Sequence, residues 1–533
     1  MKRVGVTALC GALALLCACG PTAGPAPHAD NVPTHSEPAS PARVSDRMPA
    51  RPSATAAARP TVSPAPLPQP QLSGTDAWKP TKPARAGEIE GYTRPSDGTP
   101  GTSVRLLVST ADPTLRIHAY RIGAYRGGTG RLVWASGSLP GGRQAAATMS
   151  PAATRTVVAD WHSTATVDTT GWAPGAYLFE FTSSTGWQSY APYFVTSASA
   201  RGAVALVAPI ATWQAYNRWG GYSLYHAPPG DLRSWAVSFD RPYADAGFGE
   251  FGFTVRPVVE LAERQGVPLA YLTDVDLQRD PHVLDGALGY VSMGHDEYWS
   301  QQMRRVVEHA RDAGTNLAFL AANTSYWRIR LQDTDTGAAR RIVGYKSEAQ
   351  LDPIRNSHPW LTTGKFRDPP GADPENSMTG MRYECFPVDA PYRVVTPQWW
   401  GFAHTGVGVG TEFPDLVGNE ADRVYPVPGT PRPLQILSSA DYSCGGVETS
   451  AQSTYYTAPS GAGVFDTGTQ RWTCSQLGGC FGMRMTAETV RFVRTVTGNV
   501  VRGFARGPVG ARFPAHDNVG DFSLPTVDTV PAS

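Results

Sequence analysis

The sequence predicts an α/β protein with an added all-β domain: an N-terminal β-sandwich over residues 86–198, then a doubly wound parallel α/β sheet domain over residues 199–533. Three observations lead there. Between residues 86 and 198, short runs of β-forming residues are separated by turn dipeptides, as in a sandwich. From Ala203 onward, apolar runs of strand length alternate with stretches of helical period, as in a parallel sheet covered on both faces. The chain has 533 residues, with 55 Gly, 47 Pro and only 17% charged residues, so it is long enough for two or three domains and rich in loops. A net charge of +1, without a basic cluster interleaved with aromatic residues, argues against a nucleic-acid partner.

The N-terminus reads as a targeting segment. Lys2 and Arg3 precede an apolar core from Val4 to Leu16 that is too short to span a bilayer. The run Leu16-Cys17-Ala18-Cys19 resembles a bacterial lipobox, so residues 1–19 are expected to be a lipoprotein signal with Cys19 as the lipidated residue. An ordinary secretory signal is the alternative. Lipidation would anchor the exported chain to the outer face of the cell membrane rather than thread it through. Residues 20–85 hold 15 of the 47 prolines among Ala, Ser and Thr. That composition cannot bury enough surface to fold, so the stretch is expected to be a tether.

The sandwich strands are expected at Val104–Val108, Leu115–Tyr120, Arg131–Trp134, Tyr177–Phe181 and Ala191–Val195. Turns at Asp112-Pro113, Gly127-Gly128 and Pro174-Gly175 separate them. Asp168 to Tyr177 reads as a corner with its aromatic residues inward. In the second domain the expected strands are Val204–Pro209, Leu269–Leu272, Leu288–Met293 and Asn316–Ala322, and the expected helices are Val255–Gln265, Gln301–Ala313 and Ala487–Val496. Residues 325–480 show few clean periods and read as later strands with long loops. An exported chain meets oxidising conditions. After the signal's cysteines, Cys385, Cys444, Cys474 and Cys480 remain, and two disulfides are expected: Cys474 with Cys480 across a short loop, and Cys385 with Cys444 by default. Zinc is the alternative, without the paired Cys-x-x-Cys spacing that would support it.

Chemistry concentrates where strands end. Gly294-His295-Asp296-Glu297-Tyr298-Trp299-Ser300 follows an expected strand, and three ionisable residues in a row are costly there without partners. Trp213 to Gly221, Ala322 to Arg328 and Val417 to Arg423 are placed at the same sheet edge, where wound sheets bind ligands. An oxygen-rich set there can hold a metal. Glu297 offers a carboxylate and Tyr216 a phenolate, which needs a hard, strongly acidic cation such as ferric iron. Such an ion would activate water, with His295 moving a proton and Asn323 holding a carbonyl oxygen. Each residue also has an ordinary reading. Tyr216 fits aromatic packing, His295 through Glu297 a helix N-terminus, and Asn323 a turn. Arg328 and Arg330 read as ion-paired or loop-fixing groups. There is no Gly-x-Ser-x-Gly elbow. No cysteine stands after Met293, where a glutamine-amidotransferase-like fold would place its nucleophile.

The three motifs Trp213-Gln214-Ala215-Tyr216-Asn217, Gly294 to Ser300 and Ala322 to Arg328 resemble the C-terminal region of the large (beta) subunit of N,N-dimethylformamidase, a mononuclear iron amidohydrolase. The resemblance runs from about residue 86 to about residue 500 and is loose outside the motifs. It implies a glutamine-amidotransferase-like sheet. It also implies iron held by Tyr216, Glu297 and a second tyrosine, placed on Tyr177 with Tyr190 or Tyr193 as competitors. His295 and Asn323 are the implied catalytic neighbours, and Glu420 a further acid. The family enzyme is cytoplasmic in type and works with a small partner subunit, whereas this chain reads as exported. Two functions therefore stand: an exported, lipid-anchored iron-dependent hydrolase of small amides or related C–N bonds, and a non-catalytic envelope binding module that reuses the scaffold.

Overall fold

The structure is a computed structural model that describes residues 72–247 and 249–528. The expected signal, Cys19 and the tether up to residue 71 lie outside the described residues. Residues 72–85 correct the expected end of the tether. Ser73 and Thr75 form β-bridges with Arg126 and Gly130, and Trp78 is fully buried. One large aromatic side chain in a proline-rich stretch is enough to seat it, although the average composition hides this.

Two sheets form the sandwich. β1 (Ile89–Arg94), β2 (Ser103–Thr110) and β5 (Ala165–Asp168) make one; β7 (Gln188–Val195), β6 (Gly175–Ser183), β3 (Thr114–Tyr125) and β4 (Gly128–Ala135) follow one another in the second. Side chains alternate along a strand, and β3 uses both faces. Ile117 and Ala119 enter the sandwich core, while Tyr120 and Ile122 join the core of the α/β part. That double burial is why the strand's sequence alternates only in part. A buried ion pair ties the parts together: Arg121 lies 2.8 Å from Glu263, which also accepts the Ala124 N–H at 2.6 Å and the Tyr271 hydroxyl at 2.6 Å.

The second part is built on a seven-stranded sheet. Its strands are β8 (Val204–Ala208), β10 (Leu269–Thr273), β11 (Gly289–Ser292), β13 (Asn316–Phe319), β18 (Leu434–Cys444), β19 (Val447–Thr457) and β20 (Gly463–Asp466). Side by side they run β10-β8-β11-β13-β20-β19-β18, the first five parallel and β19 antiparallel to both of its neighbours, β20 and β18. Leu206, Val291 and Ala318 face one core with α2 (Arg256–Glu263) and α5 (Ala487–Phe504). Val207, Tyr290 and Leu317 face another with α3 (Asp274–Arg279) and α4 (Gln301–Asp312). The whole is a mixed α/β fold, rich in strands and with few helices.

Residues 325–480, illegible by period, hold two long pairings that carry loops over the sheet's edge: β14 (Trp327–Thr334) with β15 (Gly337–Val343), and β16 (Arg382–Arg393) with β17 (Glu412–Arg423). Cys385 is bonded to Cys444 and Cys474 to Cys480. No helix among the described residues is long and apolar enough to cross a membrane.

Candidate active site

Three adjacent parallel strands, β8, β11 and β13, end at one edge, and the segment after each supplies a side chain. β8 leads into α1 (Ile210–Tyr216), whose last residue is Tyr216. β11 leads into the His-Asp-Glu stretch, and β13 into Asn323. Gly294 makes the exit from β11 possible. Its φ is +99°, and a Cβ there would lie 2.5 Å from Thr254. The backbone beyond is extended, so consecutive side chains part. His295 and Glu297 line the cavity. Asp296 turns away and takes hydrogen bonds from Ser292 Oγ at 2.7 Å and Trp299 Nε1 at 2.8 Å. The helix-cap reading of this stretch fails. A short strand, β12 (Tyr298–Ser300), intervenes, and Ser300 caps α4 by accepting the Met303 N–H at 3.1 Å. Thr212 Oγ1 accepts the N–H groups of Glu297 and Tyr298 at 3.1 and 3.2 Å, and Tyr326 and Trp327 donate to the Glu297 carbonyl, both at 3.0 Å. The backbone at Glu297 is therefore held from two sides, by the Thr212 hydroxyl of α1 and by the Tyr326–Trp327 backbone.

The cavity, of about 730 Å3, is lined by Tyr216, Tyr225, His295, Glu297, Asn323, Lys346 and Glu420, among others. Tyr216 donates to Glu297 Oε2 at 2.6 Å and Tyr225 to Oε1 at 2.7 Å, while the two hydroxyls lie 3.1 Å apart. The rings stack, their centroids separated by 4.5 Å. They present 38% and 44% of their surface to the cavity, but both hydroxyl ends reach Glu297, which is 2% exposed. Burial, then Glu297, pushes both phenols well above 10. Burial raises Glu297 as well, against the pull of His295.

His295 Nε2 stands 3.0 Å from Glu420 Oε2 and 3.7 Å from Glu297 Oε2. Among the described residues neither Nε2 nor Glu420 Oε2 has an aligned hydrogen-bond partner. Burial alone would lower the imidazole, but Glu420 and Glu297 outweigh it and bring it up to about 9. Asn323 sits at φ +60°, a conformation Asn tolerates, and its amide donates to Glu420 Oε1 at 3.3 Å. Its own carbonyl oxygen is buried without a hydrogen-bond partner among the described residues. Asn323 thus holds a turn and also addresses the site.

Tyr177 is corrected by the structure. Its hydroxyl donates to the Ala173 carbonyl at 2.6 Å, its ring stacks on Trp172, and it belongs to the sandwich core. Its two competitors also stay in the sandwich sheet, Tyr193 against Phe179 and Tyr190 3.5 Å from Glu180. The second phenol at Glu297 is Tyr225, from a loop that folds back on α1 through a Leu224 N–H···Ala215 carbonyl bond of 3.0 Å. No period or spacing marks Tyr225 in the sequence; its only signal is a second tyrosine in an aromatic loop just after Tyr216. Lys346 was missed as well. It is 6% exposed, and its Nζ lies 2.9 Å from the centroid of the Tyr225 ring. Arg328 and Arg330 hold loops: Arg328 donates to the Gly371 carbonyl at 2.7 Å, and Arg330 pairs with Asp352.

Among the described residues no group of three or more His, Cys, Asp and Glu side chains is disposed to hold a metal ion. The oxygen set of Tyr216, Tyr225 and Glu297 is a different case. Three residues bring oxygens to within 2.6–3.1 Å of one another in a buried place. Such spacing suits oxygens that share one small cation at roughly 2 Å. Two phenols and one carboxylate favour a hard ion of high charge, which would replace the shared protons. These donors fit ferric iron.

Behind the site, Asp422 is 2% exposed and its Oδ1 accepts the Asn323 N–H at 2.8 Å. Burial, then the acids around it, pushes Asp422 up to about 8. The folded chain therefore keeps a proton that the unfolded chain releases above about pH 3.9. Stability is expected to fall as pH rises from there through about 8. Asp422→Asn keeps the acceptor oxygen and removes the titration. Its melting temperature is expected to gain on the parent's between about pH 5 and about pH 8. A gap that stays constant with pH in paired melts would contradict this.

A family model described as "N,N-dimethylformamidase beta subunit-like, C-terminal" matches residues 116–480. No curated protein matches the chain. Among solved structures, a Paenibacillus sp. cycloisomaltooligosaccharide glucanotransferase complexed with cycloisomaltoheptaose is 11% identical, covering 51% of this chain and 37% of that one, with a TM-score of 0.15.

Proposed function

The chain belongs to the N,N-dimethylformamidase beta subunit-like family, and from that premise we propose that it is an iron-dependent hydrolase of amide or related C–N bonds. The observation that carries the proposal is the convergence of Tyr216 and Tyr225 on the two oxygens of Glu297, with His295 and Glu420 alongside. Tyr216, Tyr225 and Glu297 would hold the iron. A ferric ion supplies Lewis acidity toward water and the amide carbonyl.

The chain's own groups do the rest. In hydrolysis a water oxygen bonds to the carbonyl carbon, the C–N bond breaks, and the nitrogen leaves with a proton. His295, kept charged at neutral pH by Glu420, is the donor of that proton at Nε2. The proton left over from the water returns to His295, whose charge Glu420 balances from 3.0 Å, and Asn323 orients Glu420 through its amide. Tyr326 and Trp327, both nearly buried, line the cavity, and apolar walls strengthen the charges beside them.

The wider setting is part of the same proposal. The lipobox-like Leu16 to Cys19 supports export and anchoring through lipid on Cys19, and two disulfides suit an oxidising compartment. Parallel strands flanked by helices on both faces support the glutamine-amidotransferase-like reading of the sheet. The direct test is amine release from a panel of small formamides and acetamides by the iron-loaded chain. Release that stops on chelation and returns with iron is expected. Tight ligand binding without any release would favour the binding module.

A further inference from the structure

The cavity has two lysines that the hydrolytic site does not use. Lys346 Nζ lies 5.0 Å from the centroid of the Trp327 ring, and Lys365 Nζ lies 5.9 Å from the same ring. Both side chains line the cavity. Neither has a carboxylate within ion-pair distance among the described residues, where buried arginines such as Arg121 and Arg340 have one at 2.8 Å. Arg241, buried without an acid, spends its guanidinium on several carbonyls, among them those of Asn217 and Tyr222 at 2.8 Å. Among the described residues Lys346 Nζ has one hydrogen-bond acceptor, the Leu224 carbonyl at 3.4 Å, besides the face of the Tyr225 ring. Its backbone also sits at φ +59°, a strained place for a residue with a side chain. An ammonium that is 6% exposed and lacks a counter-charge is costly.

The acids of the cavity are engaged elsewhere. Glu297 takes the two phenols, Glu420 takes His295 and Asn323, and Glu250 acts on the His295 side. Arg233, on the lysine side, is paired with Glu348. Two lysines thus flank the Trp327 indole, Lys365 beyond the reaction chemistry and Lys346 bordering it over the Tyr225 ring.

We propose that the substrate is an amide bearing a carboxylate close to the scissile bond, as in an N-acyl amino acid, with the carboxylate held between Lys346 and Lys365 beside Trp327. This rests on the hydrolase reading of the cavity and adds the substrate class. The carboxylate supplies the counter-charge that Lys346 lacks, and the indole face covers the acyl chain.

The test compares N-acetylglycine with its neutral counterpart N-acetylglycinamide on the iron-loaded full chain, by calorimetric binding and by release of the amine product. The acid is expected to bind at least about tenfold tighter, the scale of one partly buried charge pair. Lys365→Gln, half-buried and away from Glu297, is expected to erase most of that preference, and Lys365→Arg to keep it. Lys346→Gln is expected to do the same as Lys365→Gln, with a thermal melt to show that it folds. Equal binding of acid and amide, or a preference that survives Lys365→Gln, would overturn the proposal. Preferential acid binding without any amine release leaves the anion site standing and removes the hydrolase. Release from both amides with no preference does the reverse.

Discussion

Tyr225→Phe is expected to strip the site of iron and abolish hydrolysis while the fold survives. The ring remains stacked on Tyr216 and only an oxygen leaves, so packing changes little. That oxygen is one of the three residues' donors around Glu297. Mutating groups that merely orient a metal ligand costs about 10–100-fold in affinity, so losing a ligand is expected to cost more than about 100-fold. Tyr177→Phe is the informative control. It removes a hydrogen bond to the Ala173 carbonyl in the sandwich, worth about 1 kcal/mol of stability, and is expected to leave iron and turnover in place. Metal analysis and amine release on the two variants check both halves. Iron loss in Tyr177→Phe with retention in Tyr225→Phe would show that the structure pairs the wrong phenol with Glu297.

His295→Gln is expected to separate metal binding from chemistry. His295 stands 3.0 Å from Glu420 and 3.7 Å from Glu297, and it is not one of the three oxygen donors. Iron is therefore expected to stay while turnover falls roughly 100- to 10,000-fold, the scale of a lost general acid. Glu420→Gln is expected to fall in the same direction by a smaller factor, because it acts through His295. Single-turnover measurements on iron-loaded variants decide the matter. A His295→Gln variant with full turnover would take His295 out of the reaction.

What the sequence made legible was local. The strands at Val204, Leu288 and Asn316 declare themselves by short apolar runs, and the residue after each run is fixed to the sheet's edge by simple geometry. Tyr216, His295, Glu297 and Asn323 could be gathered for that reason, and the structure brings all four to one cavity with Glu420. Tyr225 could not, because its place depends on a loop that doubles back on α1. Lys346 could not, because its approach depends on the β14–β15 hairpin, whose strands show no clean alternation when one side packs and the other lines loops. Tyr177 is put at the metal only by the resemblance, which is loose over the sandwich; the corner reading, with its aromatic residues inward, is where the structure places it. Trp78 shows the opposite limit: a single anchor is invisible to any average over a proline-rich window.

The measurement that bears most directly on the central claim is iron content together with the visible spectrum of the purified full chain, beside Tyr216→Phe. Close to one iron per chain is expected, with a tyrosinate-to-iron charge-transfer band that Tyr216→Phe removes. Folded, colourless protein that takes up no iron on reconstitution would contradict the account.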